Sequence, residues 1–193
     1  MEKTLKLFNI SCNCDVKALN TTQGNWTGKF VLQEDGIVYG IAQNETEQEP
    51  TSILVGYFIP EKGIDIVKIN PTKEATIPLF FSATKNELNP EVLFGDVTMP
   101  SPLAPVSPQA YGNIVYLGQN SITINKANYS SKEDLTIQSF VSESIDKIHE
   151  TQGFASDVLT EVLFRGDFGK HLIEQKHKIL NSTGTPFQPS SNE

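Results

Sequence analysis

Arginine is nearly absent from this chain, which has one, Arg165, among 15 basic residues against 23 acidic residues. The net charge of -8 argues against nucleic acid or an anionic membrane surface as a partner, because both are bound by clustered Lys and Arg. No apolar run approaches the roughly 18 residues that a membrane-spanning helix needs. The first residues also lack the apolar core of a signal peptide. The sequence therefore predicts an acidic, cytoplasmic protein that contacts neither nucleic acid nor membrane.

Cysteine and histidine are scarce as well. Cys12 and Cys14 are two residues apart, a spacing that would put them on one face if the segment were a strand, and two cysteines cannot complete a four-ligand zinc site alone. The three histidines, His149, His171 and His177, lack the spacing of a helical zinc motif. The chain has neither a Gly-x-Ser-x-Gly nucleophile elbow nor a phosphate-binding glycine loop. We therefore predict no metal, no cofactor and no catalytic residue.

The chain does contain many short runs in which apolar and polar residues alternate. In the first clear run Trp26 and Phe30 share one face, and Asp35-Gly36 then supplies a hairpin turn. Eight strand candidates follow one another between residues 26 and 125. Residues 5–10 are predicted as a short leading strand and residues 11–25 as irregular. Many short strands separated by turn signals are typical of an antiparallel sandwich or barrel.

Two details of this strand series bear on its topology. Pro78 lacks the N–H that a ladder needs, which predicts an edge strand or a bulge at residues 76–83. Gly118-Gln119-Asn120 reads as the turn of a last hairpin between residues 112–117 and 121–125.

After residue 130 the spacing of apolar residues becomes helical. Ser130 or Ser131 can cap a helix whose first turn holds Glu133 and Asp134, and Gly153 ends or bends it. A second apolar stripe and a final helix extend to residue 180. We predict a barrel over residues 1–129, a helical extension packed on it over 130–183, and a disordered tail over 184–193.

Eight strands in series led by Gly24-Asn25-Trp26 resemble the calycin pattern of lipocalins and avidin-like proteins. In those families a Gly-x-Trp near the start of the first strand closes one end of the barrel. The predicted fold is thus mainly β (α+β), an antiparallel eight-stranded calycin-like barrel followed by C-terminal helices. The resemblance implies a cup for a small apolar or amphipathic molecule. Lipocalins also pack a basic residue on that Trp, whereas Arg165 comes much later than the pattern expects.

The ligand-binding candidates are the side chains predicted to face the barrel interior. They are Trp26, Phe30, Tyr39, Tyr57, Phe94, Asp96 and Tyr116. Tyrosine hydroxyls could orient a ligand in an otherwise apolar pocket. The plainer interpretation is that aromatic residues at period two are ordinary core residues. Asp65, between Ile64 and Ile66, is predicted to face solvent.

Three functions stay open on this evidence. The leading hypothesis is a non-enzymatic barrel that binds a small molecule. A second is a structural or assembly protein in which the helices of residues 130–180 dock a protein partner or another copy of the chain. A third is an enzyme that uses the carboxyl of Asp96 with Tyr116 beside it, since burial raises a carboxyl pKa.

Overall fold

The computed structural model describes residues 4–16, 24–72, 78–100, 114–151, 153–164, 173–174 and 176–178. Within these residues eight strands pair in sequence order and β1 also pairs with β8, so one antiparallel sheet closes into a barrel. The strands are β1 (Lys6–Val16), β2 (Trp26–Leu32), β3 (Ile37–Asn44), β4 (Ser52–Ile59), β5 (Gly63–Ile69), β6 (Leu79–Asn86), β7 (Asn89–Pro100) and β8 (Ile114–Ala127). The helices are α1 (Ser131–Thr151) and α2 (Gly153–Phe164).

The prediction of an eight-stranded antiparallel barrel followed by helices is confirmed. The disordered tail predicted for residues 184–193 lies outside the described residues, as do Arg165 and His171. None of the helices in the described part of the chain is both long enough and apolar enough to cross a membrane.

The strands differ from the prediction in two places: the leading strand is longer than predicted, and the two strands predicted for the last hairpin are one strand. Residues 11–16, predicted as irregular, belong to β1, which pairs along its length with β8. Residues 118–120, predicted as a turn, lie inside the 14-residue β8. Asn120 stays in the strand because its side chain points into the barrel and its Nδ2 donates to the carbonyl of Asp96 at 2.9 Å. The polar side chain of Asn120 thus forms a hydrogen bond inside the barrel and does not mark a turn.

The prediction of an edge strand or a bulge at Pro78 is wrong, since the pairing is regular over residues 79–84. A closed barrel has no edge strand, since every strand has two neighbours. Strand β6 instead begins at Leu79, directly after the proline, so the missing N–H lies outside the ladder.

The predicted turn at Asp35-Gly36 is confirmed. Gly36 has a φ of 89°, and the amide of Gln33 donates to the carbonyl of Ile37 at 2.9 Å. A side chain at Gly36 would also meet the ring of Tyr57, because an added Cβ would lie 2.8 Å from it. Glycine is therefore required here both by the backbone angle and by the space.

The barrel interior is largely filled by its own side chains. Phe8 and Phe30 stack with ring centroids 5.3 Å apart, and Phe58 meets both rings edge-on. Trp26 meets Phe81 edge-on, with centroids 5.1 Å apart. An eight-stranded barrel is just wide enough for side chains to fill it. This part of the interior is consequently a packed core.

The outer wall of the barrel carries a second core, which the helices cover. Its members are Leu7, Val31, Ile53, Val55, Val67, Ile69 and Phe80 on the wall, and Ile137, Val141, Ile148, Ala155, Val158 and Leu159 on the helices. Ser130 caps α1 as predicted, since its Oγ accepts from the amide of Glu133 at 3.3 Å. Gly153, predicted to end or bend the helix, is the first residue of α2, and residue 152 before it lies outside the described residues.

A buried carboxylate fixes the start of α1 to the barrel. Asp134 accepts from the hydroxyl of Tyr39 on β3 at 2.8 Å, from the hydroxyl of Tyr129 at 2.6 Å and from Gln138 Nε2 at 2.9 Å. Burial opposes ionisation of Asp134, but these hydrogen bonds outweigh it and lower its pKa. Tyr39 thus points outward, and its hydroxyl binds α1 to the barrel wall.

We expect Tyr39→Phe to lower the free energy of unfolding by about 1.5 kcal/mol, because it removes a hydrogen bond to a buried carboxylate. Denaturant unfolding would measure the loss. Tyr129→Phe is the matched control, since it removes a bond to the same carboxylate from an exposed tyrosine. An equal or larger loss for Tyr129→Phe would contradict a special role for the contact between helix and barrel.

Candidate functional site

The structure separates the seven predicted site residues. Trp26 and Phe30 face the interior and are 2% and 1% exposed. The other five lie on the outer wall, so their predicted inward orientation is wrong: Tyr39, Tyr57, Phe94, Asp96 and Tyr116. The alternation could not reveal this, because a wall covered by helices is apolar on both faces. As ligand-binding residues all seven stay predictions.

The interior is polar at the end where Trp26 lies. Lys68 points inward from β5, is 7% exposed, and donates from Nζ to Oδ1 of Asn44 at 3.0 Å. Asn44 is the strand partner of Trp26, which places the indole beside this pair. Sequence reasoning missed Lys68, although its spacing from Ile64 and Ile66 puts all three on one face.

The two cysteines lie at the same end of the interior. Cys12 is fully buried, and its hydrogen bond with Cys14 together with burial raises the pKa of its thiol. The thiol of Cys14 donates to the carbonyl of Gly24 at 3.2 Å. Both cysteines are free thiols. A thiol held in its protonated form is a poor nucleophile and a poor metal ligand, and among the described residues no three His, Cys, Asp or Glu side chains come together to hold a metal.

A second polar cluster lies on the outer wall, where Asp65, Ser82 and Asp96 occupy one row across β5, β6 and β7. Asp65 was predicted to face solvent, but it is only 8% exposed, and Asp96 is 4% exposed. Ile173 packs against Gly63 on β5, and the charge of Lys176 acts on both carboxyls. Ile173 and Lys176 therefore lie near this row.

Burial dominates the chemistry of these two carboxyls. It raises the pKa of Asp65, and it raises the pKa of Asp96 to about 6, in each case against the attraction of Lys176. The hydroxyl of Ser82 donates to Asp65 at 2.8 Å. Tyr116 lies close enough that burial and then the charge of Asp96 raise its pKa. The pair considered for catalysis is thus brought together, but on the outer wall.

A groove of about 670 Å³ runs between α1 and the outer wall formed by β8, β1, β2 and β3. Its wall presents cross-strand rows of polar side chains, because Ser11 pairs with both Thr27 and Thr123. Lys29 Nζ and Glu133 Oε1 form an ion pair at 2.7 Å that joins the wall to the helix. Its apolar lining comes from Pro50, Ile41 and Ile137.

Sequence reasoning did not find this groove, and none of the seven predicted residues lines it. The alternation of Ile10 and Cys12 with Asn9, Ser11 and Asn13 was the available signal. It shows a strand whose outer face is polar and therefore not covered by an apolar helix face.

Comparison of the chain with models of protein families, with curated proteins and with solved structures found no match. The fold and the sites alone therefore define its class. It is a closed antiparallel barrel that has a packed apolar core, a polar inner end and a groove beside its first helix.

Proposed function

We propose that this protein is a small-molecule-binding barrel that holds an amphipathic ligand in the groove between the barrel wall and α1. The observation that carries the proposal is the groove itself, whose volume of about 670 Å³ falls within the roughly 300–1,000 Å³ of ligand sites. Its walls belong to rigid elements, because the strands are closed into a barrel and Asp134 fixes the helix to β3.

The lining suits a ligand that has an apolar body and a polar end. Ile41 and Pro50, both partly buried, offer apolar surface in the groove. The ion pair of Lys29 and Glu133 is roughly half exposed, at 44% and 42% of the side-chain surface, so both charges can meet a ligand. Thr136 adds a hydroxyl on the helix side. A few polar groups around an apolar surface are typical of ligand sites.

The aromatic part of the barrel interior supports such a ligand less well than the groove. Phe8, Phe30 and Phe58 occupy that space with their own rings. An apolar ligand there would have to displace packed aromatic side chains, which contribute several kcal/mol of core stability.

We also propose that the barrel is of calycin type. The sequential order of the strands, the closure of β1 on β8 and the burial of Trp26 within one end support this. Free thiols at Cys12 and Cys14 support a proposed cytoplasmic location, where thiols stay reduced.

The assembly hypothesis has weaker support than ligand binding. The apolar stripes of α1 and α2 pack on the barrel, so they are not the surfaces that would meet a partner. For the enzyme hypothesis, Asp96 and Tyr116 do lie close to each other on the outer wall. Neither residue lines the groove, so the proposed ligand would not reach them.

The groove can be tested by filling it. Thr136 is an exposed helix residue that lines the groove, and Thr136→Phe places a ring there. Octanoate, decanoate and decylamine serve as amphipathic probes, followed by amide chemical shifts of the protein. We expect saturable shifts at β1, β2 and α1 in the unaltered protein, and binding at least about tenfold weaker in Thr136→Phe.

Thr160→Phe is the matched control. Both threonines are exposed on a helix and donate to the carbonyl four residues earlier, at 3.0 Å for Thr136 and 2.9 Å for Thr160. Thr160→Phe should bind the probes as the unaltered protein does. The proposal fails if no probe gives saturable shifts along the groove, or if both variants bind equally well.

A further inference from the structure

We propose that the ligand of the groove carries a negative charge at its polar end, as a carboxylate or a phosphate monoester, and that Lys132 selects this charge. The inference rests on the proposed function, because it concerns the same groove, and it goes further by fixing the sign of the ligand charge. Two features of the lining carry it, namely the charges that face the groove and the hydrogen-bond donors of the opposite wall.

The charged residues of the groove lining carry a net positive charge. Among the described residues they are Lys29, Lys132 and Glu133, two cations and one anion. This sign is opposite to that of the whole chain, whose net charge is -8. Asp134 follows Glu133 in the chain, but it does not line the groove, and its carboxylate already accepts from two tyrosine hydroxyls and from Gln138. The lining itself therefore favours an anion.

Of these three charges, Lys132 is the one that no protein group neutralises. Nζ of Lys29 lies 2.7 Å from Oε1 of Glu133, so those two charges satisfy each other. In the described part of the chain no acidic side chain pairs with Lys132, which is exposed in the first turn of α1. A cation in the groove would meet a carboxylate that is already paired and an ammonium that repels it, whereas an anion would meet an unpaired ammonium.

The position of Lys132 on the helix places it beside the groove. Lys132 and Thr136 are four residues apart, which puts them on one face of α1, and both line the groove. The hydroxyl of Thr136 donates to the carbonyl of Lys132 at 3.0 Å. Because a lysine ammonium ends a long and flexible side chain with three donors, Lys132 can reach a head group anywhere along this face of the helix.

The barrel wall opposite the helix can donate hydrogen bonds to such a head group. It presents five side chains that carry a hydroxyl or a primary amide: Asn9, Ser11, Thr27, Thr123 and Asn125. They are cross-strand neighbours on β8, β1 and β2, and none of the five side chains is bonded to another group among the described residues. Carboxylate and phosphate oxygens accept such bonds, which are stronger when the acceptor is charged. Lys132 thus selects the anion, and the wall can bind its oxygens.

Four probes of one chain length separate the charge from the apolar body. At neutral pH octanoate and octyl phosphate are anions, octylamine is a cation and octanol is uncharged. Each is titrated into the full chain and followed by the amide chemical shifts of β1, β2 and α1. We expect both anions to bind about fivefold tighter than octanol, and octylamine to bind more weakly than octanol. The tighter of the two anions identifies the head group, and the preference for anions should shrink at high salt.

Lys132→Glu reverses the net charge of the lining, so it should weaken octanoate binding about tenfold and make octylamine the tighter ligand of the two. Lys147→Glu is the matched control, since it changes the total charge equally at an exposed lysine of α1 that does not line the groove. The carbonyl of Lys147 accepts from Thr151 Oγ1, as that of Lys132 accepts from Thr136. Octanoate binding should change by less than about twofold in this control.

The inference is overturned if octanol or octylamine binds the unaltered protein as tightly as the two anions do. It is equally overturned if Lys132→Glu and Lys147→Glu weaken octanoate binding to the same extent. In both cases a ligand still occupies the groove, so the proposed function stands and only the sign of the ligand charge is wrong. Should none of the four probes give saturable shifts along the groove, the proposed function and this inference fail together.

Discussion

Phe30→Ala is expected to lower the free energy of unfolding by about 3–5 kcal/mol, the largest effect we predict. Phe30 is 1% exposed and its ring lies between those of Phe8 and Phe58, at centroid distances of 5.3 and 5.5 Å. Removing the ring loses its burial and leaves a cavity that the closed wall cannot easily collapse around. Denaturant unfolding, followed by Trp26 fluorescence, would measure the change.

Leu88→Ala is the control for this truncation. Leu88 is 82% exposed, so its loss should change the free energy of unfolding by no more than about 0.5 kcal/mol. A loss of under about 1 kcal/mol for Phe30→Ala would contradict a filled interior. It would restore the hollow cup that the calycin resemblance implies, and with it an apolar ligand among the phenylalanines.

The elements of this fold were predicted well wherever local signals fix them. Gly36 marks the first hairpin because few other residues adopt its positive φ, and Ser130 marks the start of α1 because its hydroxyl caps the helix. Each of these signals acts within a few residues of itself.

The direction of side chains was predicted less well, because it depends on what covers the wall. Tyr39 was expected inside, but the residue that faces inward beside it is Gly40, whose lack of a side chain admits Phe30. An added Cβ at Gly40 would lie 2.7 Å from Phe30 Cβ. The inward orientation of Gly40 follows from the pairing of β2 with β3, and the sequence of one strand alone does not determine that pairing.

The candidate sites were the hardest part to predict, since each joins distant segments. Lys29 and Glu133, which meet at the groove, are 104 residues apart in the chain. Lys68 and Asn44 are 24 residues apart and meet because β3 and β5 both flank β4 and both side chains point into the barrel. By alternation Asp65 was predicted to face solvent, but it is 8% exposed and lies within range of the charge of Lys176, which is distant in the chain. Local periodicity carries no information about such contacts.

Asp96→Asn is expected to stabilise the protein by about 2 kcal/mol above about pH 7 and to have little effect near about pH 4. Burial raises the pKa of Asp96 from its ordinary 3.8 to about 6, against the attraction of Lys176. The folded protein therefore prefers the neutral carboxyl. The stability that this preference contributes is complete below the ordinary pKa and is lost as the pH rises through about 6. Asparagine has a similar shape and cannot ionise, so it avoids that loss.

The difference in the free energy of unfolding between the variant and the unaltered protein, taken at each pH, reports the titration of Asp96 alone. The groups that face it are Asp65 on β5, Ser82 on β6, Tyr116 and Gln119 on β8, and Lys176 from the C-terminal residues. Those groups are present in both proteins, so their own titrations largely cancel in the difference. Urea unfolding at several pH values between about 4 and 8 would give the curve.

Asp157→Asn serves as the control, because it makes the same substitution at an exposed position on α2. A difference curve for Asp96→Asn that is flat with pH would contradict a buried, ionising carboxyl on the wall. A curve that falls as the pH rises would mean that the charged form is the favoured one. In that case attraction to Lys176 would outweigh burial, and the C-terminal residues would be held on the barrel by an ion pair rather than by a neutral acid.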